Sequence, residues 1–421
     1  MSHLLTRRSF LRVAGGAVSI TGLGACSRDA ALTETPSTID SATSAPAQTI
    51  GAEPPSTTSP PSVNRGDRRL VVVQLLGGND LLNTLPPLNG TYRDLRPALA
   101  IPEADLVALA GVDDAALHPS LAALTTMWDD GSLALLRGIG FAEANRSHFV
   151  SMDRWWRADD VAAAGWIGRA VDLLDGPLPP LYGTVLGGGA PLLVGERFRP
   201  TSVSSRDAFQ LESLDPSWLS FGAGRSDLDA AARGAIASAV AAMEDFAGLV
   251  EDAPESADLP EFAGGSPISD GLATAAALLA GDVGCRVVVV SAGGFDTHSG
   301  QLGVHADLLD DLAAGLVLLR ERLSADGLAD DVLVAVTSEF GRRAAENGSG
   351  GTDHGSAGLS LLMGSGVRGG MYGEVDLRDL VDGDVRPTID PLVLYTACLD
   401  WLGADAMQVL GRRDDSVSLL R

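Results

Sequence analysis

The stretch RLVVVQLLGGND, residues 69–80, is a short apolar run that ends in two glycines, an asparagine and an aspartate. Continuous apolar runs of this length are typical of parallel strands that are buried on both faces of a sheet. The glycines open a loop, so that Asn79 and Asp80 directly follow the carboxyl end of the strand. The stretch therefore predicts a buried strand that delivers polar side chains to one edge of a sheet.

The same arrangement recurs along the chain, and helical stretches separate its copies. Strands that alternate with helices predict an α/β domain around a mainly parallel sheet. A turn-rich segment, residues 180–225, is interpreted as an insertion or a small cap. The other predicted strands are SLALLRGIG (132–140), CRVVVVSAGG (285–294), DVLVAVTSEFG (331–341) and LSLLMGSG (359–366), and apolar residues at helical spacing lie in 226–250, 271–282, 303–323 and 391–403.

The composition excludes one large class of function. The 421-residue chain has a formal net charge of −25, and all 30 of its basic residues are arginines. Such an acidic protein is not expected to bind nucleic acid as its main task. Besides Cys26 there are two cysteines, Cys285 and Cys398, which either form one disulfide or remain buried thiols.

The N-terminus predicts export. Arg7 and Arg8 precede an uncharged stretch that ends at Cys26, which is the pattern of a twin-arginine signal. This stretch is too short for an ordinary membrane-spanning helix. The residues LGAC (23–26) are similar to the lipobox of bacterial lipoproteins, so lipidation of Cys26 is expected, with cleavage but no anchor as the alternative.

Three regions follow from these signals. Residues 1–26 are the predicted signal peptide, and residues 27–67 are a linker rich in Pro, Ser and Thr that cannot bury enough apolar surface to fold. Residues 68–421 form the predicted folded domain. We expect the twin-arginine export machinery as a partner, and a location on the outer face of the cytoplasmic membrane, through the lipid anchor only, or secretion.

Polar residues that suit a divalent cation follow several of the predicted strands. Open α/β folds bind their ligands at this carboxyl edge of the sheet. Carboxylate oxygens and imidazole nitrogens suit zinc or manganese. The candidate metal ligands are Asp80, Asp296, His298, Glu339, Asp353 and His354.

Ser147 is the candidate nucleophile because it stands at a predicted helix start, where backbone N–H groups favour an alkoxide and an incoming anion. Arg146 or Arg342 is expected to hold the substrate oxygens.

Each of these residues also has a simpler interpretation. Asp80 could bind only its own turn, and Ser147 could serve only as a helix cap. Asp296 and His298 could form a hydrogen-bonded pair without metal. Three histidines stand outside the predicted site, and Glu339 has a competing partner. Glu339 could pair with Arg342 or Arg343, His118 and His148 are interpreted as structural, and His305 is a reserve ligand.

Several motifs together resemble one bacterial family of exported proteins, domain of unknown function 1501, which is grouped with the alkaline phosphatase and sulfatase superfamily. The resemblance spans residues 68–415 and implies a three-layer α/β/α sandwich with a mainly parallel central sheet, alkaline phosphatase-like. It also implies two divalent metals and a serine or threonine nucleophile. The motifs are LVVVQLLGGNDLLNTLPPL (70–88), LHPSL (117–121), NRSHFVSMDRWW (145–156), GFDTHSGQ (294–301) and SEFGRRAAENGSGGTDHG (338–355).

The resemblance assigns roles to matching positions. Asp80, or Asn79, takes the place of the first aspartate ligand, and Ser147 that of the nucleophile. Asp296, His298 and His354 would form one metal site. Phe340 stands where the family has a histidine, which leaves the second site with oxygen ligands only, from Asp80 and Glu339, with Ser147 as a further candidate.

An oxygen-only site suits calcium, magnesium or manganese better than zinc. One or two ions are therefore expected. The resulting hypothesis is a metal-dependent hydrolase of phosphate or sulfate esters, with a small ester or a cell-surface substrate. The alternative is a non-catalytic cell-surface lipoprotein that keeps the fold and one structural metal for binding a partner or polymer.

Overall fold

The computed structural model describes most of the predicted folded domain. The predicted signal peptide, with Arg7, Arg8 and Cys26, lies outside the described residues, and so does the linker. Most of the helix predicted at 226–250 and part of the predicted insertion also lie outside them. The described residues are 68–158, 164–203, 241–242, 245–246, 248–249 and 268–421.

The described strands form one large sheet and one small hairpin. In the large sheet the order is β4-β3-β5-β1-β6-β7-β2-β8, and β7 alone is antiparallel to its neighbours. The predicted mainly parallel sheet is therefore confirmed. Residues 183–187 and 201–203, which lie in the segment interpreted as an insertion or a small cap, are instead strands of this sheet. The strands are β1 (Arg69–Leu75), β2 (Leu133–Ile139), β3 (Gly183–Gly187), β4 (Thr201–Val203), β5 (Val287–Ala292), β6 (Val332–Thr337), β7 (Gly358–Met363) and β8 (Gly370–Tyr372), with β9 (Leu380–Val381) and β10 (Asp384–Val385) in the hairpin.

Helices cover both faces of the large sheet, and three of them overlap the stretches where apolar residues at helical spacing predicted them. Short 3₁₀ turns occur at Glu103–Asp105, Pro119–Leu124 and Pro191–Leu193. None of the described helices combines the length and the apolar character that a membrane span requires. The helices are α1 (Leu81–Thr84), α2 (Gly90–Leu95), α3 (Thr125–Asp129), α4 (His148–Arg157), α5 (Trp166–Asp172), α6 (Ile268–Ala280), α7 (Gln301–Ala325), α8 (Leu392–Trp401) and α9 (Ala406–Leu410).

Strand β1 is apolar from Leu70 to Val73 because both of its faces are buried. Val71 and Val73 point into a core shared with α1, α6 and α7, whereas Leu70 and Val72 point into a second core shared with α5, α8 and α9. Side chains alternate between the faces of a strand, so a strand between two helical layers needs apolar residues at every position. The result is the predicted three-layer sandwich.

The two described cysteines are free thiols. Cys285 lies in the first core and Cys398 in the second, on opposite faces of the sheet. Burial raises the pKa of each thiol to about 12. Both therefore remain protonated at neutral pH and serve as small core residues.

The antiparallel direction of β7 brings one more loop to the edge where the other strands end. Strands β1, β5 and β6 are neighbours and end at the same edge, because they are parallel. Strand β7 begins there instead of ending, so the loop that precedes it, residues 341–357, joins the loops that follow β1 and β5. The segment between β2 and α4 completes this edge, as the contacts of His148 below show.

Candidate metal centre

Glycine allows the loops at this edge to approach one another closely. Gly77 has a φ of +121°, and a Cβ there would lie 2.3 Å from the backbone nitrogen of Asp296. Its own N–H donates to Glu339 Oε1 at 2.8 Å. Only a glycine tolerates both this backbone conformation and this contact. The glycines of the first quoted stretch thus bring the loops after β1, β5 and β6 together.

Asp296 lies at the centre of the resulting cluster. Its Oδ1 atom is 3.0 Å from His354 Nε2 and 3.1 Å from His298 Nε2. Its Oδ2 atom is 3.6 Å from His148 Nε2. The two ring nitrogens of His298 and His354 lie 2.9 Å apart. Three imidazoles from three segments therefore direct their Nε2 atoms at one carboxylate.

The second nitrogen of each ring faces an acceptor. Nδ1 of His148 is 2.7 Å from Glu339 Oε1, and Nδ1 of His298 is 3.2 Å from Asp353 Oδ1. Nδ1 of His354 is 2.8 Å from the carbonyl oxygen of Arg146. Because carboxylates and carbonyls only accept, each Nδ1 carries the proton. In the neutral rings all three Nε2 atoms then present lone pairs.

Lone pairs that face one another at this distance are stabilised by a cation or a proton between them. The atoms offered by His148, Asp296 and His354 all lie within 4.8 Å of one another, and His148 Nε2 is buried without a hydrogen-bond partner. Histidines fixed through Nδ1 by a carboxylate or carbonyl are the usual metal ligands. Within the part of the chain that the structure describes, this is the one group of histidine, cysteine and acidic residues with such spacing.

Arg342 is buried and links the loops through hydrogen bonds. Its guanidinium donates to the carbonyl oxygens of Gly78 at 2.8 Å, Thr352 at 2.9 Å and Phe295 at 2.9 Å, and also to that of Gly77. It donates to Asp296 Oδ1 as well, at 2.7 Å. With its side chain fully buried, Arg342 orients Asp296 and joins three loops.

The charge of Asp296 is held in place by these contacts. Burial acts to raise the pKa of this carboxyl, but the hydrogen bond and the charge of Arg342 act against it, and the pKa is lowered to about 2. The pKa of His148 is raised, chiefly by its hydrogen bond to Glu339 and against the effect of burial. Asp296 therefore stays ionised at neutral pH and offers a charged oxygen ligand beside the facing nitrogens.

The structure separates the predicted ligands into two groups. Asp296, His298 and His354 lie within hydrogen-bonding distance of one another. Glu339 and Asp353 do not face the centre of the cluster, because each accepts from the Nδ1 of a histidine. They are supporting groups of the kind that set the orientation and tautomer of a ligand.

Asp80 belongs to a different cluster. Arg96 binds both of its carboxylate oxygens, at 2.5 Å and 3.0 Å, and Gln301 donates to the first of these. Asp80 also caps α1 by accepting from the N–H of Leu82 at 3.1 Å. Burial acts to raise the pKa of Asp80, but the Arg96 charge and hydrogen bond lower it below its ordinary value. The second, oxygen-only set of Asp80 and Glu339 is not brought together, since each carboxylate has other partners.

The predicted nucleophile Ser147 is accessible, whereas the two predicted arginines are already bound to other groups. Ser147 is exposed at the start of α4, and its hydroxyl makes no cap hydrogen bond. The Arg146 guanidinium is bound to Asp384 at 2.8 Å rather than free. Arg342 is likewise buried and occupied. Neither predicted arginine thus presents a free guanidinium at the cluster.

His148 is the candidate ligand that was interpreted from the sequence as structural. Its position in the sequence could have identified it. His148 comes one residue after the proposed nucleophile, at the start of a helix that follows a strand. Phe340, which replaces a histidine of the resembled family, packs against the rings of His148 and His354 with 4.9 Å between centroids. A histidine from another segment therefore supplies an imidazole next to the position where the motif lacks one.

His305, the reserve ligand of the sequence analysis, is buried away from the cluster. Its Nε2 donates to Asn79 Oδ1 at 2.9 Å, and burial lowers its pKa to about 4. An unfolded histidine has a pKa of about 6.5. Between about pH 6.5 and pH 4 the unfolded state therefore binds a proton that the folded state does not bind. Lowering the pH from about 6.5 to about 4 should therefore reduce the free energy of unfolding by roughly 3 kcal/mol through this residue.

Urea unfolding between pH 7 and pH 4.5, in the presence of a chelator, measures this loss. His305→Gln keeps an amide that can donate to Asn79 and should show a flatter pH dependence than the unaltered protein. Equal losses in the two proteins would contradict a buried neutral His305.

Residues 222–416 match the family described as Protein of unknown function (DUF1501). This segment contains Asp296, His298, Glu339 and His354 but not His148. A search of curated proteins returned no match.

Several solved structures have a similar fold at low identity. One is a protein in the alkaline phosphatase superfamily from Vibrio parahaemolyticus, with 10% identity, a TM-score of 0.40, and coverage of 85% of this chain and 71% of that chain. Another is the lipoteichoic acid synthase LtaP from Listeria monocytogenes, with 9% identity, a TM-score of 0.38, and coverage of 83% and 75%. A third is the C-terminal periplasmic domain of EcEptC from Escherichia coli in complex with Zn, with 9% identity, a TM-score of 0.35, and coverage of 72% and 74%. Likeness at this level does not bear on what this chain does.

Proposed function

We propose that this protein is an exported, metal-dependent hydrolase of phosphate or sulfate esters. One observation carries the proposal: three imidazole Nε2 atoms with fixed tautomers converge on the Asp296 carboxylate at the carboxyl edge of the sheet. Three nitrogen ligands and one oxygen ligand suit zinc best, with manganese as the second choice. Export by the twin-arginine route and lipidation at Cys26 remain proposals from the N-terminal sequence.

The proposed ligands would leave the ion accessible to a substrate. His148, His298 and His354 would hold the ion together with Asp296, and Glu339, Asp353 and the Arg146 carbonyl would hold the rings. A bound divalent ion would supply Lewis acidity toward an ester oxygen. The side chains of Asp296 and His298 are 47% and 43% exposed, so a solute can reach the cluster from outside.

Ser147 is the proposed nucleophile. It lies next to the ligand His148, and its hydroxyl is exposed and free of a cap hydrogen bond. In this scheme the Ser147 oxygen attacks the phosphorus or sulfur of the ester, the alcohol leaves, and water then releases the anion from the serine. The first turn of α4 would supply backbone N–H groups that favour negative charge beside Ser147.

The non-catalytic alternative also has an observation in its favour. Arg146 and Arg342 are both occupied, by Asp384 and by loop carbonyls, and Asp80 is paired with Arg96. A protein that keeps one structural metal for binding a cell-surface partner would need none of these groups to be free. The same experiment separates the two functions.

The test is an assay of the purified protein on aryl phosphate and aryl sulfate esters, with zinc, manganese or no added metal, together with elemental analysis. We expect one bound ion per chain and turnover that Ser147→Ala lowers by at least about tenfold. Ser299→Ala is the matched control, because Ser299 is an exposed serine next to the ligand His298. Bound metal without turnover of any ester would favour the binding function, and equal turnover in both variants would remove Ser147 from the mechanism.

A further inference from the structure

The hairpin of β9 and β10 carries a buried carboxylate beside the candidate metal centre. The Asp384 side chain is 5% exposed, and its Oδ2 atom accepts from Arg146 Nε at 2.9 Å and lies 2.8 Å from Arg146 Nη2. Its Oδ1 atom lies 3.6 Å from Arg343 Nε. One aspartate therefore binds Arg146 through hydrogen bonds and lies within ion-pair distance of Arg343, which belongs to a different loop of the site.

Both loops lead directly to His354. The carbonyl oxygen of Arg146 accepts from His354 Nδ1 at 2.8 Å, which sets the tautomer and direction of that ring. The N–H of Arg343 donates to the carbonyl oxygen of Asp353 at 3.0 Å, one residue before His354. The groups that place the His354 ring are thus themselves held by Asp384.

The hairpin has independent attachments to the same loops. The Ser356 hydroxyl donates to the carbonyl oxygen of Val385 at 2.7 Å, and the N–H of Ala344 donates to that of Gly383 at 3.2 Å. Arg343 also donates to the carbonyl oxygen of Asp382 at 3.0 Å. Because these bonds do not involve the Asp384 carboxylate, the hairpin should stay in place when only that charge is removed.

We propose that Asp384 is a positioning residue for the metal centre, acting on His354 through Arg146. By binding the Arg146 guanidinium, Asp384 fixes the position of the Arg146 carbonyl, and this carbonyl fixes His354. The inference rests on the metal centre of the proposed function but not on hydrolysis. Neither the strand pattern nor the motifs of the sequence pointed to Asp384.

The test compares Asp384→Asn with Asp379→Asn. Asp379 stands just before the same hairpin and pairs with Arg386 at 2.7 Å and 2.9 Å, without contact to Arg146. Zinc affinity is measured by competition with a chromophoric chelator, and the cobalt-substituted protein reports ligand geometry by its visible spectrum. We expect Asp384→Asn to weaken zinc binding by about tenfold or more and to alter the cobalt spectrum, and Asp379→Asn to leave both unchanged.

A second variant tests the route through Arg146. Arg146→Gln should weaken zinc binding to a similar extent, and adding Asp384→Asn to it should cause little further loss, because the two residues act in series. Full additivity would overturn the proposed route, and unchanged zinc affinity in Asp384→Asn would overturn the proposal.

The metal-free protein provides a readout that does not depend on zinc. In side-chain ¹H–¹⁵N spectra the His354 Nδ1–H signal should be visible in the unaltered protein and in Asp379→Asn, and broadened by exchange in Asp384→Asn. An equally sharp signal in all three proteins would overturn the proposal. If the unaltered protein hydrolysed no ester while these differences between the variants were observed, the result would count against the proposed function alone.

Discussion

Asp296→Asn is expected to remove high-affinity metal binding. The Asp296 carboxylate is the group that all three Nε2 atoms face, and it supplies the negative charge of the site. Loss of a supporting residue behind a ligand typically weakens binding by about 10- to 100-fold. Loss of the charge of the central ligand should therefore exceed about 100-fold. Zinc competition with a chromophoric chelator measures it.

The control is Asp307→Asn, which neutralises an exposed aspartate on α7 without touching the cluster. It should bind zinc as the unaltered protein does. The asparagine at 296 can still accept from Arg342, so the loops should keep their structure and the two variants should unfold at similar urea concentrations. Zinc affinity within a few-fold of the unaltered protein in Asp296→Asn would show that these residues do not form a metal site.

Arg96→Met is expected to cause the largest loss of stability. Arg96 and Asp80 are both fully buried, and the guanidinium also donates to Asn83 Oδ1 at 2.7 Å. It further donates to the carbonyl oxygens of Arg343 at 2.8 Å and Ala344 at 2.9 Å. Removing one partner of a buried pair leaves an uncompensated charge, which costs about 3–5 kcal/mol of unfolding free energy. Urea unfolding of the whole protein measures the change.

Arg93→Met is the matched control for this substitution. Arg93 lies on α2 three residues earlier, and its pair with Glu103 is exposed, with side chains 50% and 65% accessible. Exposed pairs contribute about 1 kcal/mol or less. If the two variants lost the same free energy, the Arg96–Asp80 pair would not be buried as described. Because Asp80 has Arg96, Gln301 and the α1 backbone as partners, metal removal should not change the effect of Arg96→Met.

The strand pattern determined much of the architecture. An apolar run such as LVVV in β1 has only one arrangement that buries every side chain, a strand between two helical layers. Polar residues that follow several parallel strands must then share one edge, which is why Asp296, His298 and His354 were predicted to meet. The glycines at 77 and 78 are a local signal for the close approach of these loops.

The partners of each carboxylate were decided only by the tertiary structure. Asp80 and Glu339 follow neighbouring strands and look alike as candidate ligands, yet Arg96 binds one and His148 binds the other. A carboxylate bonds to whichever donor the fold brings within about 3 Å, and those donors lie 16 and 191 residues away along the chain. No local pattern encodes such distances.

The roles of His148 and Asp384 likewise depend on partners that are distant in the sequence. The residues next to His148 in the sequence indicate a helix start, but its role depends on Glu339 and Asp296. Asp384 lies in a two-residue strand, 238 residues from the arginine that it holds. The sequence by itself determined the α/β architecture, five of the described strands and the edge that collects the polar groups, because those follow from periodicity and burial. Which of those groups face a cation and which support the ligands was decided by long-range packing, because hydrogen bonds depend on positions in space.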